Sequence, residues 1–203
     1  MVLPRLYPIA DASCFQTTRD LLVYVDQLLA AGITLLQYRN KTDHSQIMLD
    51  QARELKRIAG NSVKLIMNDR ADLCLAADFN GVHVGQDDLS PESVRLVIGN
   101  RLCLGVSTHN PEQLSQGDGT SADYLAIGPV FATGSKERPD PVIGLAGVHR
   151  ARSLTLKPLV AIGGITRANC REVIDAGADS VAVIADLTNA PRKSAEEFLR
   201  ILG

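Results

Sequence analysis

The chain is poor in aromatic residues: Phe, Trp and Tyr make up 4% of its 203 residues, and Trp is absent. That scarcity argues against the stacking platforms that hold single-stranded nucleic acids. No charge sign dominates either, since 21 Lys and Arg stand against 23 Asp and Glu for a net charge of −2. Such a balance supplies no overall field for a polyanion or an anionic membrane, so any anion site has to be local. The cysteines, Cys14, Cys74, Cys103 and Cys170, are scattered without a C-x-x-C pair. This spacing points to buried free thiols in a reducing compartment rather than a disulfide framework or a zinc site. No apolar run approaches the roughly 20 residues that a bilayer requires. The opening MVLPRLYPIADAS lacks the basic segment and long apolar run of a secretory signal. The expectation is a soluble cytoplasmic protein that acts on small molecules, with no nucleic-acid or membrane partner. A homo-oligomer is compatible with the sequence.

What is present is an alternation. Short apolar runs occur at 5–11, 33–40, 63–69, 81–85, 102–108, 124–130, 158–164 and 180–186. Between them lie segments of helical period. In TTRDLLVYVDQLLAAG, Leu21, Leu22, Val25, Leu28 and Leu29 share one face; in HSQIMLDQARELKRIAG, Ile47, Met48, Ala52, Leu55 and Ile58 do so. Near-continuous apolar strands separated by amphipathic helices predict a parallel sheet covered by helices. Eight such units predict one domain over residues 1–203, a single (β/α)8 barrel somewhat shorter than the typical ~250 residues. An open doubly wound sheet is the alternative, because closure is not legible in a periodicity. The irregular stretch FATGSKERPDPVIG, 131–144, reads as a mobile loop over a site.

In a (β/α)8 barrel the carboxyl ends of the strands form the active face, and here those ends are polar. They carry Gln37-Tyr38-Arg39-Asn40-Lys41, Asn68-Asp69-Arg70, Gln86-Asp87-Asp88, Ser107-Thr108-His109, Thr133-Gly134-Ser135-Lys136, Gly163-Gly164 and Ile184-Ala185-Asp186. Alternate strand residues share a face, so Gln37, Arg39 and Lys41 project together. With Lys136 they suit a pyrophosphate, Arg as a fork and Lys as a point charge. Asp69 and Asp88 suit Mg²⁺, which takes one or two carboxylates plus water and phosphate oxygens. Gly163-Gly164 and the backbone after Val183 are expected to open helices whose N–H groups bind a second phosphate. Taken singly, each residue has a plainer reading. Arg39 and Lys41 are solvated loop cations, Asp69 caps the helix at ADLCLAA, and Asp88 caps at SPESV, where Ser90 is the better cap. Asp87 is solvated, His83 packs in its strand, and His109 begins a helix. Their convergence on one rim is what those readings explain badly.

At these residues the sequence resembles the thiamine phosphate synthase family, over nearly its whole length. The family's Q-x-R-x-K is matched at 37–41, N-D-R at 68–70, G-V-H-x-G-Q-x-D at 81–88 and G-V-S-x-H at 105–109. The pattern G-P-[IV]-[FY]-x-T-x-[ST]-K is matched at 128–136, and I-G-G-I at 162–165. The resemblance implies a Mg²⁺-dependent transfer that joins 4-amino-2-methyl-5-hydroxymethylpyrimidine pyrophosphate to 4-methyl-5-hydroxyethylthiazole phosphate. It implies pyrimidine-side contacts from Gln37, Tyr38, Arg39, Asn40, Lys41, Asn68, Ser107 and Lys136, with Arg39, Lys41, Ser107 and Lys136 as the catalytic set. Metal ligation falls to Asp69 and Asp88. The thiazole phosphate falls to Thr133, Gly134 and Ser135 and to the backbone of Gly164, Ile184 and Ala185. Ala185 stands where the family commonly has Ser, which removes a hydroxyl and keeps the N–H. Two rivals are a thiazole tautomerase on the same barrel, whose signature would be a proton-transferring His83 or His109, and a phosphate-ligand sensor, which needs no carboxylate pair.

Overall fold

The computed structural model describes residues 2–41, 44–133 and 140–203. Its strands are β1 Leu6–Asp11, β2 Leu35–Arg39, β3 Lys64–Asn68, β4 Gly81–Val84, β5 Cys103–Thr108, β6 Tyr124–Ile127, β7 Leu159–Ile162 and β8 Ser180–Val183. Helices α1 Thr18–Ala30, α2 Ser45–Ala59, α3 Ala71–Ala76, α4 Pro91–Ile98, α5 Pro111–Asp118, α6 Gly144–Leu154, α7 Cys170–Asp175 and α8 Pro191–Leu202 alternate with them. Every neighbouring pair of strands is parallel, and β8 returns to β1. The sheet is therefore a closed (β/α)8 barrel, which settles the alternative of an open sheet.

Local chemistry places the helix starts. Thr17 and Asp20 form a reciprocal capping box at α1. Ser90 caps α4 and Asn110 caps α5, each followed by a proline in the first turn, where a missing N–H costs nothing. Arg70, not Asp69, occupies the cap position of α3, and it makes no side-chain cap bond. Asp69 is thus not a helix cap.

The alternation along each strand creates two cores. One lies between sheet and helices and takes Leu36, Tyr38, Leu65, Met67, Leu104, Leu125 and Val181 from the strands. The other fills the barrel lumen with Tyr7, Ile9, Leu35, Ile66, Tyr124, Ala126, Val160 and Ala182. Lumen-facing positions therefore continue at the carboxyl ends as Asp11, Gln37, Arg39, Asn68, His83 and Ser107. Ile47 departs from its expected place: it is exposed and lines a cavity of about 260 Å³ between the starts of α1 and α2. Gln51, on the next turn, is buried in its stead.

Candidate active site

The register of β1 and β2 sets Asp11 beside Arg39. Asp11 is buried, accepts hydrogen bonds from the Ser13 N–H at 3.0 Å and the Ser13 hydroxyl at 2.7 Å, and forms a close ion pair with the Arg39 guanidinium. The pair fixes where the Arg39 fork lies at the carboxyl end of β2. Asn68, at the end of β3, is buried, and its Nδ2 has no hydrogen-bond partner. An orphaned amide donor in such a place is costly unless a ligand uses it. Ser107 accompanies it from β5, with Oγ 2.8 Å from His83 Nε2.

Asp69 and Asp88 lie near enough for the Asp88 carboxyl to disfavour the charge on Asp69. Asp69 is held in position by a left-handed backbone, φ 61°, and by its N–H donating to the His83 carbonyl at 2.8 Å. Asp88 Oδ2 accepts from the Gly85 N–H at 2.8 Å. Burial first, and then the neighbouring Asp88 carboxyl, push the Asp69 carboxyl above its ordinary range; the Lys41 ammonium, 3.0 Å away, pulls the other way. Two neighbouring carboxylates beside the Lys41 ammonium could hold a divalent ion that completes its shell with water and phosphate oxygens. Among the described residues no group of three or more His, Cys, Asp or Glu gathers as a metal cluster.

Across the rim, the backbone around Gly163 and Gly164 has positive φ, 100° and 64°. A Cβ at Gly163 would lie 2.6 Å from Pro129 Cα, and one at Gly164 would lie 2.5 Å from the Ala132 carbonyl oxygen. The loops after β6 and β7 approach so closely that only glycine fits. These glycines do not open a helix as expected, because α7 begins six residues later at Cys170; after Val183 there is only a three-residue 3-10 turn, Ala185–Leu187. Any phosphate here meets turn N–H groups rather than the end of a long helix. Gly164 and Ile184 are half-buried and Ala185 is exposed at this end.

The chain as a whole is similar to known proteins. The family model described as thiamine monophosphate synthase (TMP-TENI) matches residues 6–187. A thiamine-phosphate synthase of Koribacter versatilis is 61% identical over 203 residues, covering 98% of this chain and 96% of the relative. One of Shouchella clausii is 38% identical over 187 residues, covering 92% and 89%. Among solved structures, a thiamine phosphate pyrophosphorylase from Pyrococcus furiosus superposes with a TM-score of 0.87 at 31% identity, covering 98% of this chain and 95% of that one.

The chain belongs to the thiamine monophosphate synthase family. It is an enzyme, a transferase.

Two side chains of the residue set implied by the family resemblance, those of Tyr38 and Asn40, turn away from the lumen face. Tyr38 points into the layer between sheet and helices, where its hydroxyl donates to Gln51 Oε1, and Asn40 Nδ2 donates to the same oxygen at 3.0 Å. Gln51 in turn donates to the Thr18 hydroxyl at 2.9 Å, so this knot ties β2 to α2 and α1. The reason is the period of a strand: neighbours of Gln37 and Arg39 point to the opposite face. Lys41 lies beyond the strand and reaches Asp69. Thr133, part-buried, is the last described residue before 140; the expected contacts of Gly134, Ser135 and Lys136 lie outside the described residues.

Sequence reasoning missed Asp11, Tyr7 and Tyr124. In the family fold they lie on the lumen face of β1 and β6. The signal available was the polar Asp11 ending an otherwise apolar strand. His83 had been read as a packed strand residue, and it is buried, with its imidazole held down to about 4 by desolvation although Asp88 draws it upward. His109 precedes the α5 cap, and its Nδ1 lies 2.7 Å from the Gly128 carbonyl.

Proposed function

We propose that the enzyme condenses 4-amino-2-methyl-5-hydroxymethylpyrimidine pyrophosphate with 4-methyl-5-hydroxyethylthiazole phosphate, giving thiamine phosphate and pyrophosphate. The observation that carries this reading is the facing pair Asp69 and Asp88 beside Lys41, on the same rim as Arg39 and the orphaned amide of Asn68. Arg39, aimed by Asp11, forks onto the pyrophosphate, and Lys41 adds a point charge. Asn68 and Ser107 hold the pyrimidine side of the substrate. Asp69 and Asp88 would hold Mg²⁺, which would neutralise the charge growing on the departing pyrophosphate. Lys136 joins these cations on the reading drawn from the family motif.

The reaction breaks the methylene carbon–oxygen bond, and its electron pair departs with pyrophosphate. The aminopyrimidine delocalises the positive charge left on the methylene, and the thiazole nitrogen then donates its lone pair to that carbon. That nitrogen carries no proton, so no general base is called for. His83 and His109 support this assignment over a tautomerase: His83 has both ring nitrogens engaged by hydroxyls inside the barrel, and His109 is held at a backbone carbonyl. Thr133, Gly134, Ser135 and the backbone of Gly164, Ile184 and Ala185 take the thiazole phosphate; Ala185 contributes its N–H alone. Charge stabilisation preorganised at the leaving group is then the main source of rate.

The test is incubation of the purified protein with both substrates and Mg²⁺, followed by oxidation and fluorescence detection of thiamine phosphate. Product that depends on both substrates and on Mg²⁺ is expected. Folded protein that binds the pyrimidine pyrophosphate calorimetrically, independently of Mg²⁺ and without product, would establish a sensor instead.

A further inference from the structure

A continuous file of hydrogen bonds crosses the lumen from one substrate-side residue to another. Gln37 Nε2 donates to Tyr7 Oη at 3.1 Å, Tyr7 Oη lies 3.0 Å from Tyr124 Oη, Tyr124 Oη lies 2.9 Å from His83 Nδ1, and His83 Nε2 lies 2.8 Å from Ser107 Oγ. Tyr7, Gln37, His83 and Tyr124 are all buried. Gly105 lies between His83 and Tyr124 in the sheet register, and a Cβ there would fall 2.0 Å from Tyr124 Cζ and 2.5 Å from His83 Nδ1. The glycine of the G-V-S-x-H stretch is therefore required by this file.

Each group in the file has few protons to give, so the bonds order one another. Tyr7 accepts from the Gln37 amide, which leaves its single proton for Tyr124. Tyr124 accepts that proton and has its own left for His83 Nδ1. A neutral imidazole whose Nδ1 accepts carries its proton on Nε2, and so donates to Ser107 Oγ. The Ser107 proton is then left over by the file, while Gln37, with one N–H of its amide spent on Tyr7, keeps its Oε1 outside the file. We infer that Tyr7, Tyr124 and His83 are positioning residues that set Ser107 as a hydrogen-bond donor and Gln37 as an acceptor, so that the site selects a 4-aminopyrimidine over its 4-oxo counterpart. The amino ring offers an N–H donor next to a ring-nitrogen acceptor; the 4-oxo ring in its lactam form offers the reverse. The second part of the inference rests on the proposed reaction, and the first does not.

The tautomer decides the first part. In protein labelled with ¹⁵N-histidine, the ring resonances of His83, assigned by their loss in His83→Gln, are expected to show a bare Nδ1 and a protonated Nε2. A proton on Nδ1 reverses the file and overturns the inference. For the second part, kcat/KM is compared for the 4-amino and 4-oxo pyrimidine pyrophosphates in the wild type, Tyr7→Phe and Tyr124→Phe. Discrimination is expected to fall about 10- to 100-fold in both variants, the scale of an unpaired buried polar group, whereas a merely structural loss would slow both rings alike. An unchanged ratio refutes the role of the tyrosines. A wild type inactive on both rings would refute the proposed reaction and leave the tautomer measurement to stand or fall by itself.

Discussion

Replacing Asp69 separates the charge of this residue from its backbone geometry. Asp69 holds φ 61°, a region that Asn and Asp tolerate and alanine does not, at a cost of roughly 1–2 kcal/mol. Its carboxylate pairs with a Lys41 side chain that is 50% exposed, so the loss of that pair is worth at most about 1 kcal/mol. Against this, burial and Asp88 push the Asp69 carboxyl upward. A carboxyl that holds its proton more tightly when folded stabilises the fold at low pH, and that contribution is lost as pH rises through the raised value. At neutral pH the ionised Asp69 is a net burden on the metal-free fold. Asp69→Asn is therefore expected to melt at or slightly above the wild-type temperature in EDTA. Asp69→Ala should melt lower by about 2–8 °C, at roughly 2–4 °C per kcal/mol for a domain of this size. With one of the two carboxylates proposed to hold Mg²⁺ gone, both variants should lose about 100-fold or more in turnover. Scanning calorimetry and the thiamine phosphate assay read the two effects separately. An Asp69→Asn protein that keeps more than about a tenth of wild-type turnover at saturating Mg²⁺ would refute the metal assignment, and one that melts far below wild type would refute the electrostatic reasoning.

Two further outcomes bear on the neighbouring residues. Asp11→Asn removes the charge that aims Arg39 and is expected to raise KM for the pyrimidine pyrophosphate about 10-fold; an unaltered KM would show that Arg39 needs no such partner. Tyr38→Phe removes one of the two donors to Gln51 Oε1 and leaves the other, Asn40, in place, and should lower stability by about 0.5–1.5 kcal/mol in urea titration. Its KM values should stay at wild type, and a several-fold change would return Tyr38 to the substrate site.

Much of the fold was legible because it is written locally. The eight apolar runs cover the eight strands with one to three residues to spare, since each run is short, apolar and bounded by polar or turn-forming residues. Ser90 and Asn110 announce their helices by side-chain bonds that span only three residues. The rim was legible for the same reason: polar residues that end apolar strands stand out whatever the strands pair with. Asp69 and Lys41 were placed in the site from that contrast alone. The role of Gly163-Gly164 was misjudged because a glycine pair marks close approach as readily as a helix start, and here Pro129 and Ala132 are what it admits.

The order of strands and helices, the sign and place of the rim charges and the membership of a known enzyme family were all determined by the sequence. Closure of the barrel, the face on which Tyr38 lies, the pairing of Asp11 with Arg39 and the file from Gln37 to Ser107 were decided only in three dimensions. A strand buried on both sides carries apolar residues on both, so its pattern does not say which face is the lumen. The bonds that distinguish the faces join residues far apart in the chain, Tyr7 with Tyr124 across 117 positions, and only the register of a closed sheet brings them together.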